Sequence, residues 1–323
     1  MIFIIESTFH GSQNGVVSAH EHEDLTIMMT NQFVGTAGMP RISRVFLLRN
    51  ASGMTVTISE RDATPTSWRA PDRYGRMANV LLGDAEEPRA VNWQPSRWRA
   101  YQSDGVVSLL AQGISTDLQV SYRLNDDGSL VVDYDAMAGF TVPLKVKAAP
   151  CFNLSGCHAD IGDHMLQIDA DYFEETDAGG APAGIASVGG TPFDFRQPAA
   201  IGSRLRWPDP RIDLAGGFDH CFFVRNHARG GQGALREVAR VLDPASGRCL
   251  QVSTGETALR FCSGTLPRGL RERPQPKRYQ RRDGFFLQSI ARPEVMSAAW
   301  PHVILQPGQM YRQTTVYRLS LQG

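Results

Sequence analysis

Apolar and polar residues alternate with a period of two along much of this chain. Leu118-Gln119-Val120-Ser121-Tyr122-Arg123-Leu124 puts every second side chain on one face, as a half-buried strand requires. Asn125-Asp126-Asp127-Gly128 then supplies turn chemistry, and Leu130-Val131-Val132-Asp133-Tyr134 resumes the extended run, so the stretch reads as a hairpin. Met54, Val56 and Ile58 alternate with Thr55, Thr57 and Ser59. Leu250 and Val252 alternate with Gln251 and Ser253, and Tyr317, Leu319 and Leu321 with Arg318, Ser320 and Gln322. No segment longer than about ten residues carries helical periodicity. With 31 glycines and 19 prolines between short strands, the pattern predicts an all-β fold, a large antiparallel β-sandwich.

Composition narrows the setting. A chain of 323 residues fits one large β domain. Its 42% hydrophobic and 20% charged residues are ordinary for a soluble globular protein. The formal net charge of zero gives no bulk attraction to nucleic acid or an anionic membrane, and no apolar run has transmembrane length. The opening MIFIIESTF lacks the basic flank and cleavage site of a signal peptide. Five cysteines without CxxC spacing read as reduced core thiols, so a cytoplasmic location is expected. The expected assembly is a monomer or homodimer.

Residues 1–43 stand apart as an N-terminal extension: an added strand, a flexible arm, or the product of an upstream start codon. They hold His20 and His22 beside Glu21, Glu23 and Asp24, but two ligands without a third do not make a metal site. Neither a metal nor a cofactor is expected.

A series of motifs follows from residue 44 onward. Arg49-Asn50-Ala51-Ser52-Gly53-Met54-Thr55-Val56 comes first, then Pro71-Asp72-Arg73-Tyr74-Gly75-Arg76 leading into Val80-Leu81-Leu82-Gly83. Phe152-Asn153-Leu154-Ser155-Gly156, His164-Met165-Leu166-Gln167-Ile168, Asp177 with Pro182 and Gly184, and Gly190-Thr191-Pro192-Phe193-Asp194-Phe195-Arg196 form the middle. Gly217-Phe218-Asp219-His220, Asp243-Pro244 to Ser246-Gly247-Arg248, and Gln306-Pro307-Gly308-Gln309-Met310-Tyr311 complete the order. This series resembles the aldose 1-epimerase (galactose mutarotase) family. The resemblance implies that residues 44–323 form a single-domain galactose mutarotase-like supersandwich. It also implies a sugar-binding cleft on one concave face, with a small carbohydrate or related polyhydroxylated molecule as partner.

Mutarotation opens a cyclic hemiacetal and recloses it on the other face, which needs a base at the anomeric hydroxyl and an acid at the ring oxygen. In the family a glutamate is the base and a histidine the acid. The acid precedes the FNLSG string by three residues, a place held here by Ala149. The base lies in a "GFCLETQ"-like strand, matched by Gly284-Phe285-Phe286-Leu287-Gln288, so Gln288 stands at its position. Arg260 takes the place of a sugar-binding glutamine, and the segment carrying a second histidine is absent between Gly83 and Val91. Arg76-Met77-Ala78-Asn79 could align with the family's "GRxANR", with Val80 in place of its arginine, but these residues are assigned to the earlier hairpin. Asp219 is retained. Neither alanine nor glutamine can shuttle a proton, so ordinary mutarotase activity is not expected.

The candidate catalytic residues are therefore Asp219, His220 and Gln288, and the candidate substrate contacts are Arg260, Asn153 and His158. His164 is read as structural. Arg268–Asp283 carries seven basic residues against Glu272 and Asp283, a local balance of +5. It reads either as a solvated loop or as a contact for an anionic or phosphorylated sugar. Three functions stay open: an isomerase-like enzyme on a sugar-like ligand, a non-catalytic carbohydrate-binding protein, or an enzyme recruited to a non-sugar cyclic substrate in a secondary-metabolite pathway.

Overall fold

The expected hairpin is present. Thr116–Leu124 buries alternate residues and pairs antiparallel with Ser129–Ala138. Gly128 closes the turn at φ +80, where an added Cβ would also collide with the Leu319 carbonyl oxygen, so backbone and space both demand glycine. The computed structural model describes residues 28–30, 43–61, 63–82, 98–112, 116–144, 150–156, 160–177, 182–225, 234–263, 282–290 and 303–322.

In chain order the first strands are β1 (Met28–Thr30), β2 (Ser43–Arg49), β3 (Thr55–Ser59), β4 (Thr64–Pro71) and β5 (Met77–Asn79). Next come β6 (Arg99–Ser103), β7 (Val106–Gln112), β8 (Thr116–Leu124), β9 (Ser129–Ala138) and β10 (Val142–Leu144). The middle holds β11 (Met165–Ile168), β12 (Ala170–Thr176), β13 (Pro182–Ser187), β14 (Ala199–Ala200), and helices α1 (Ile201–Leu205) and α2 (Pro210–Ala215). The rest comprises β15 (Asp219–Val224), β16 (Arg236–Leu242), β17 (Arg248–Thr254), β18 (Ala258–Cys262), β19 (Phe286–Ile290), β20 (Val303–Leu305) and β21 (Met310–Leu321).

Among the described residues these strands form antiparallel sheets. β1 to β5 make one in sequence order, with β1 at its edge against β2. A nine-stranded sheet runs β14-β11-β16-β17-β21-β9-β8-β7-β6, a five-stranded sheet runs β13-β12-β15-β18-β19, and β10 pairs with β20. The motif residues Arg76 to Asn79 enter the β4–β5 hairpin. Asn79 Oδ1 there accepts from the backbone N–H groups of Trp68 and Leu81. Both helices are short. Asp209 caps α2 with Pro210 in its first turn, and Gly216 ends it at φ 67. No helix among the described residues is long and apolar enough to cross a membrane.

The sheets are joined where Cys151, Phe152 and Asn153 pass between two other pieces of chain. Phe152 exchanges backbone hydrogen bonds with Phe285 at 2.8 and 2.9 Å, Asn153 N–H donates to Val80 O, and Leu82 N–H donates to Cys151 O. The Phe152 ring is fully buried against Trp68, Phe285 and Tyr317. Buried Arg248 braces the same junction, donating to the carbonyls of Leu154, Ala70, Pro71 and Arg76. Such close passage leaves no room at Gly284, whose added Cβ would lie 2.5 Å from Leu82 Cδ1, 2.7 Å from Cys151 Sγ and 3.1 Å from Phe152 O. Gly284→Ala is therefore expected to cost about 2–3 kcal/mol through overpacking. A lower urea midpoint at unchanged slope reads out that loss; an unaltered midpoint would mean the crossing has slack.

Candidate functional site

Residues directly opposed in an antiparallel ladder share a face, and neighbours along a strand point to opposite faces. In the sheet β13-β12-β15-β18-β19, one face is aromatic and closed. Phe173, Phe222, Phe261 and Leu287 lie there, each no more than 1% exposed. The other face carries the polar groups. Cys221 opposes Arg260, and Arg260 opposes Gln288. One register step away, Asp219 opposes Cys262, which opposes Phe286. The Arg260 guanidinium grips the Asp219 carboxylate in a two-point contact, Nε to Oδ1 at 2.6 Å and Nη2 to Oδ2 at 2.8 Å. Their side chains keep 36% and 23% of their exposure, so the pair remains reachable from solvent. The result is a neutral cluster of donors and acceptors with Gln288 alongside.

A separate cavity of about 10 Å³ lies between sheets, lined in part by Pro150, Gln288, Ser289, Tyr122, Tyr134 and Tyr317. That volume holds about one water, so this cavity does not take a sugar. Pro150 and Gln288 still meet at this cavity, so the chain just after position 149 and the side of position 288 come together.

The family model described as Aldose 1-epimerase matches residues 112–318. The chain belongs to the aldose 1-epimerase family. Galactose mutarotase from Bos taurus is 35% identical over 205 residues, covering 62% of this chain and 57% of that one. The chain thus matches little more than half the length of that mammalian relative. Aldose 1-epimerase from Escherichia coli (strain K12) is 28% identical over 333 residues, covering 85% of this chain and 94% of that one. Two solved structures share the fold. An aldose epimerase homologue from C. elegans superposes with a TM-score of 0.70 at 18% identity, covering 87% of this chain and all of that one, 100%. Galactose 1-epimerase from Lactobacillus acidophilus NCFM gives 0.69 at 19% identity, covering 93% and 100%.

Within this aldose 1-epimerase family member, the residues singled out from sequence fall in different places. Asp219, Arg260 and Gln288 share the polar face. His220 does not. It is 2% exposed on the aromatic face, its ring 4.6 Å from that of Phe193, and its Nδ1 accepts the Asp219 N–H. Strand alternation turns it away from the carboxylate beside it. Asn153 is 1% exposed and spends its polar atoms internally, donating to Asp283 O and accepting from the Ser155 N–H and hydroxyl. It holds the FNLSG turn rather than facing the polar cluster. Ala149, His158, His20, His22, the Gly83–Val91 segment and Arg268 to Arg281 lie outside the described residues. At the end of the basic segment, Arg282 pairs with Asp160. Sequence reasoning missed Cys221, Tyr172 and Phe223 on the same face as Arg260. Neither β12 nor β15 alternates apolar and polar residues, so only the strand pairing joins them to the site.

His164 is also buried, and its Nε2 accepts the Leu154 N–H at 3.0 Å, locking the turn after Phe152. Burial pushes the His164 pKa down to about 4 against the opposing pull of Asp243, Asp160 and Asp163. Burial likewise pushes His220 to about 4, with Asp219 and Asp209 opposing and Arg211 and Arg260 assisting. Between about pH 6.5 and 4 the unfolded chain binds protons at both positions that the folded chain does not, so stability falls as pH drops through that window. At pH 5 each histidine should account for a loss of about 2 kcal/mol relative to pH 7.5. His164→Gln keeps an acceptor for Leu154 but does not titrate, so its urea midpoint should fall less between those two pH values. An equally steep profile in the variant would assign the loss to other groups.

Proposed function

We propose that the protein binds a neutral, polyhydroxylated, sugar-type ligand on the face bearing Asp219, Arg260 and Gln288, without catalysing ordinary mutarotation. The observation that carries this reading is the two-point Asp219–Arg260 pair beside Gln288. A carboxylate accepts from sugar hydroxyls, a guanidinium donates to them, and an amide does both. Their charges cancel, which suits a neutral polyol better than an anion. Arg260 already has an ionic partner, which weighs against the phosphorylated ligand that its charge alone suggests.

Family membership supports a sugar as the ligand class, and relatives named for galactose make galactose the first probe. The same cluster argues against anomer interconversion. Gln288, at the position of the family's base, has no group that ionises as a carboxylate does. Ala149 supplies no proton donor where the acid is expected. Asp219 has both oxygens engaged by Arg260, so it is arranged to hold a ligand rather than to take its proton.

Titration calorimetry with galactose and galactose 6-phosphate tests the reading. Galactose should bind at least as tightly as its phosphate. Asp219→Asn, which leaves the guanidinium uncompensated, should weaken galactose about tenfold, equivalent to about 1.4 kcal/mol, and favour the phosphate. Tighter binding of the phosphate by the unmodified protein would contradict the neutral-ligand reading. No heat with either sugar would contradict sugar binding itself.

A further inference from the structure

We propose that the polar face continues into a second subsite, formed by Tyr172, Phe223 and Ile185, that takes a second ring of a disaccharide or aryl glycoside. This extends the reading of Asp219, Arg260 and Gln288 as a sugar site and rests on it. The strand register carries the argument. Tyr172 on β12 opposes Phe223 on β15, and Phe223 opposes Ala258 on β18. Glu174, two residues after Tyr172 and so on its face, opposes Ile185 on β13. Tyr172, Phe223 and Ile185 therefore lie on the face of Arg260 and Gln288, and Phe173, Phe222 and Ala186 turn into the core.

Exposure separates the two halves of this face. Tyr172 is 54% and Ile185 52% exposed. Cys221 and Ala258, beside Arg260 and next to it along β18, are small and buried at 4% and 0%, and the buried Glu174 stands between Cys221 and Ile185. This buried floor separates the polar cluster from the exposed Tyr172 and Ile185. Arg260 and Tyr172 are two strands apart, about 10 Å across the sheet, with a further offset along the strands of about 7 Å. One hexose held at the cluster cannot also cover Tyr172, whereas a second ring joined to it can.

The chemistry of the rim suits such a ring. Aromatic side chains offer a large apolar face with a polar tip on tyrosine, which matches the C–H face of a pyranose or the plane of an aryl group. Single exposed apolar residues are common on protein surfaces. What marks this group is its continuity, on one sheet face, with a polar cluster that the same ligand would use. A protein partner needs about 800 Å² on each side, far more than these three side chains supply.

Calorimetry with methyl β-galactoside, lactose and phenyl β-galactoside tests the subsite. At least one two-ring probe should bind about tenfold more tightly than the methyl glycoside. Tyr172→Ala should remove that advantage while changing methyl β-galactoside affinity less than twofold. An advantage shared by lactose marks a second pyranose, and one confined to phenyl β-galactoside marks an apolar aglycone; either supports the subsite. No advantage in the unmodified protein, or one that survives in Tyr172→Ala and Ile185→Ser, would overturn it and leave single-sugar binding intact. A dimer by light scattering that Tyr172→Ala dissociates would give the rim to a second copy and also overturn it. Failure of all three glycosides to bind would overturn the sugar site and this extension together.

Discussion

The polar face depends on the place where the chain crosses itself at Phe152. Backbone hydrogen bonds on both sides make this short segment a strand between residues 80–82 and residue 285, although it is only three residues wide. The crossing ties the β1–β5 sheet to β19, and β19 carries Gln288. It succeeds because position 284 has no side chain and because His164, Asn153 and Arg248 satisfy the turn that follows. Backbone groups in such a crossing cannot reach water, so each must find a partner inside the protein. The conspicuous FNLSG string is the lock that meets this demand.

That explains how the sequence could be read well for fold and less well for site. Alternation in Leu118–Leu124, Met54–Ile58 and Tyr317–Leu321 reports which residues face inward, and those segments have that burial except at Leu321, which is exposed at the end of its strand. The order of motifs pointed to the aldose 1-epimerase family, to which the chain belongs. Pairing between distant strands is a different matter. Nothing local in DYFEET says that Tyr172 will sit beside Phe223, or that Cys221 will sit beside Arg260. Asp219 and His220 are both candidates from the Gly217-Phe218-Asp219-His220 motif, yet adjacency in a strand separates them onto opposite faces. Asn153 drew notice for its motif, and the motif turned out to serve the turn.

The proposed chemistry follows from what these constraints leave on the surface. A buried face of phenylalanines and His220 fixes the sheet, and the opposite face is free to carry charge. There Asp219 and Arg260 neutralise each other in a geometry that a lysine could not reproduce. With glutamine at 288 and alanine at 149, the reading is of a site that recognises hydroxyl groups and moves no proton between them. Family membership alone implies an epimerase; the identity of these two residues argues against one.

Exchange between the α and β anomers of galactose, followed by NMR saturation transfer with and without the protein, decides whether the site moves a proton. The exchange rate should equal that in buffer, even at protein concentrations where galactose is bound. Acceleration that scales with protein concentration would contradict it, because some pair of groups other than residues 149 and 288 would then have to be carrying the proton.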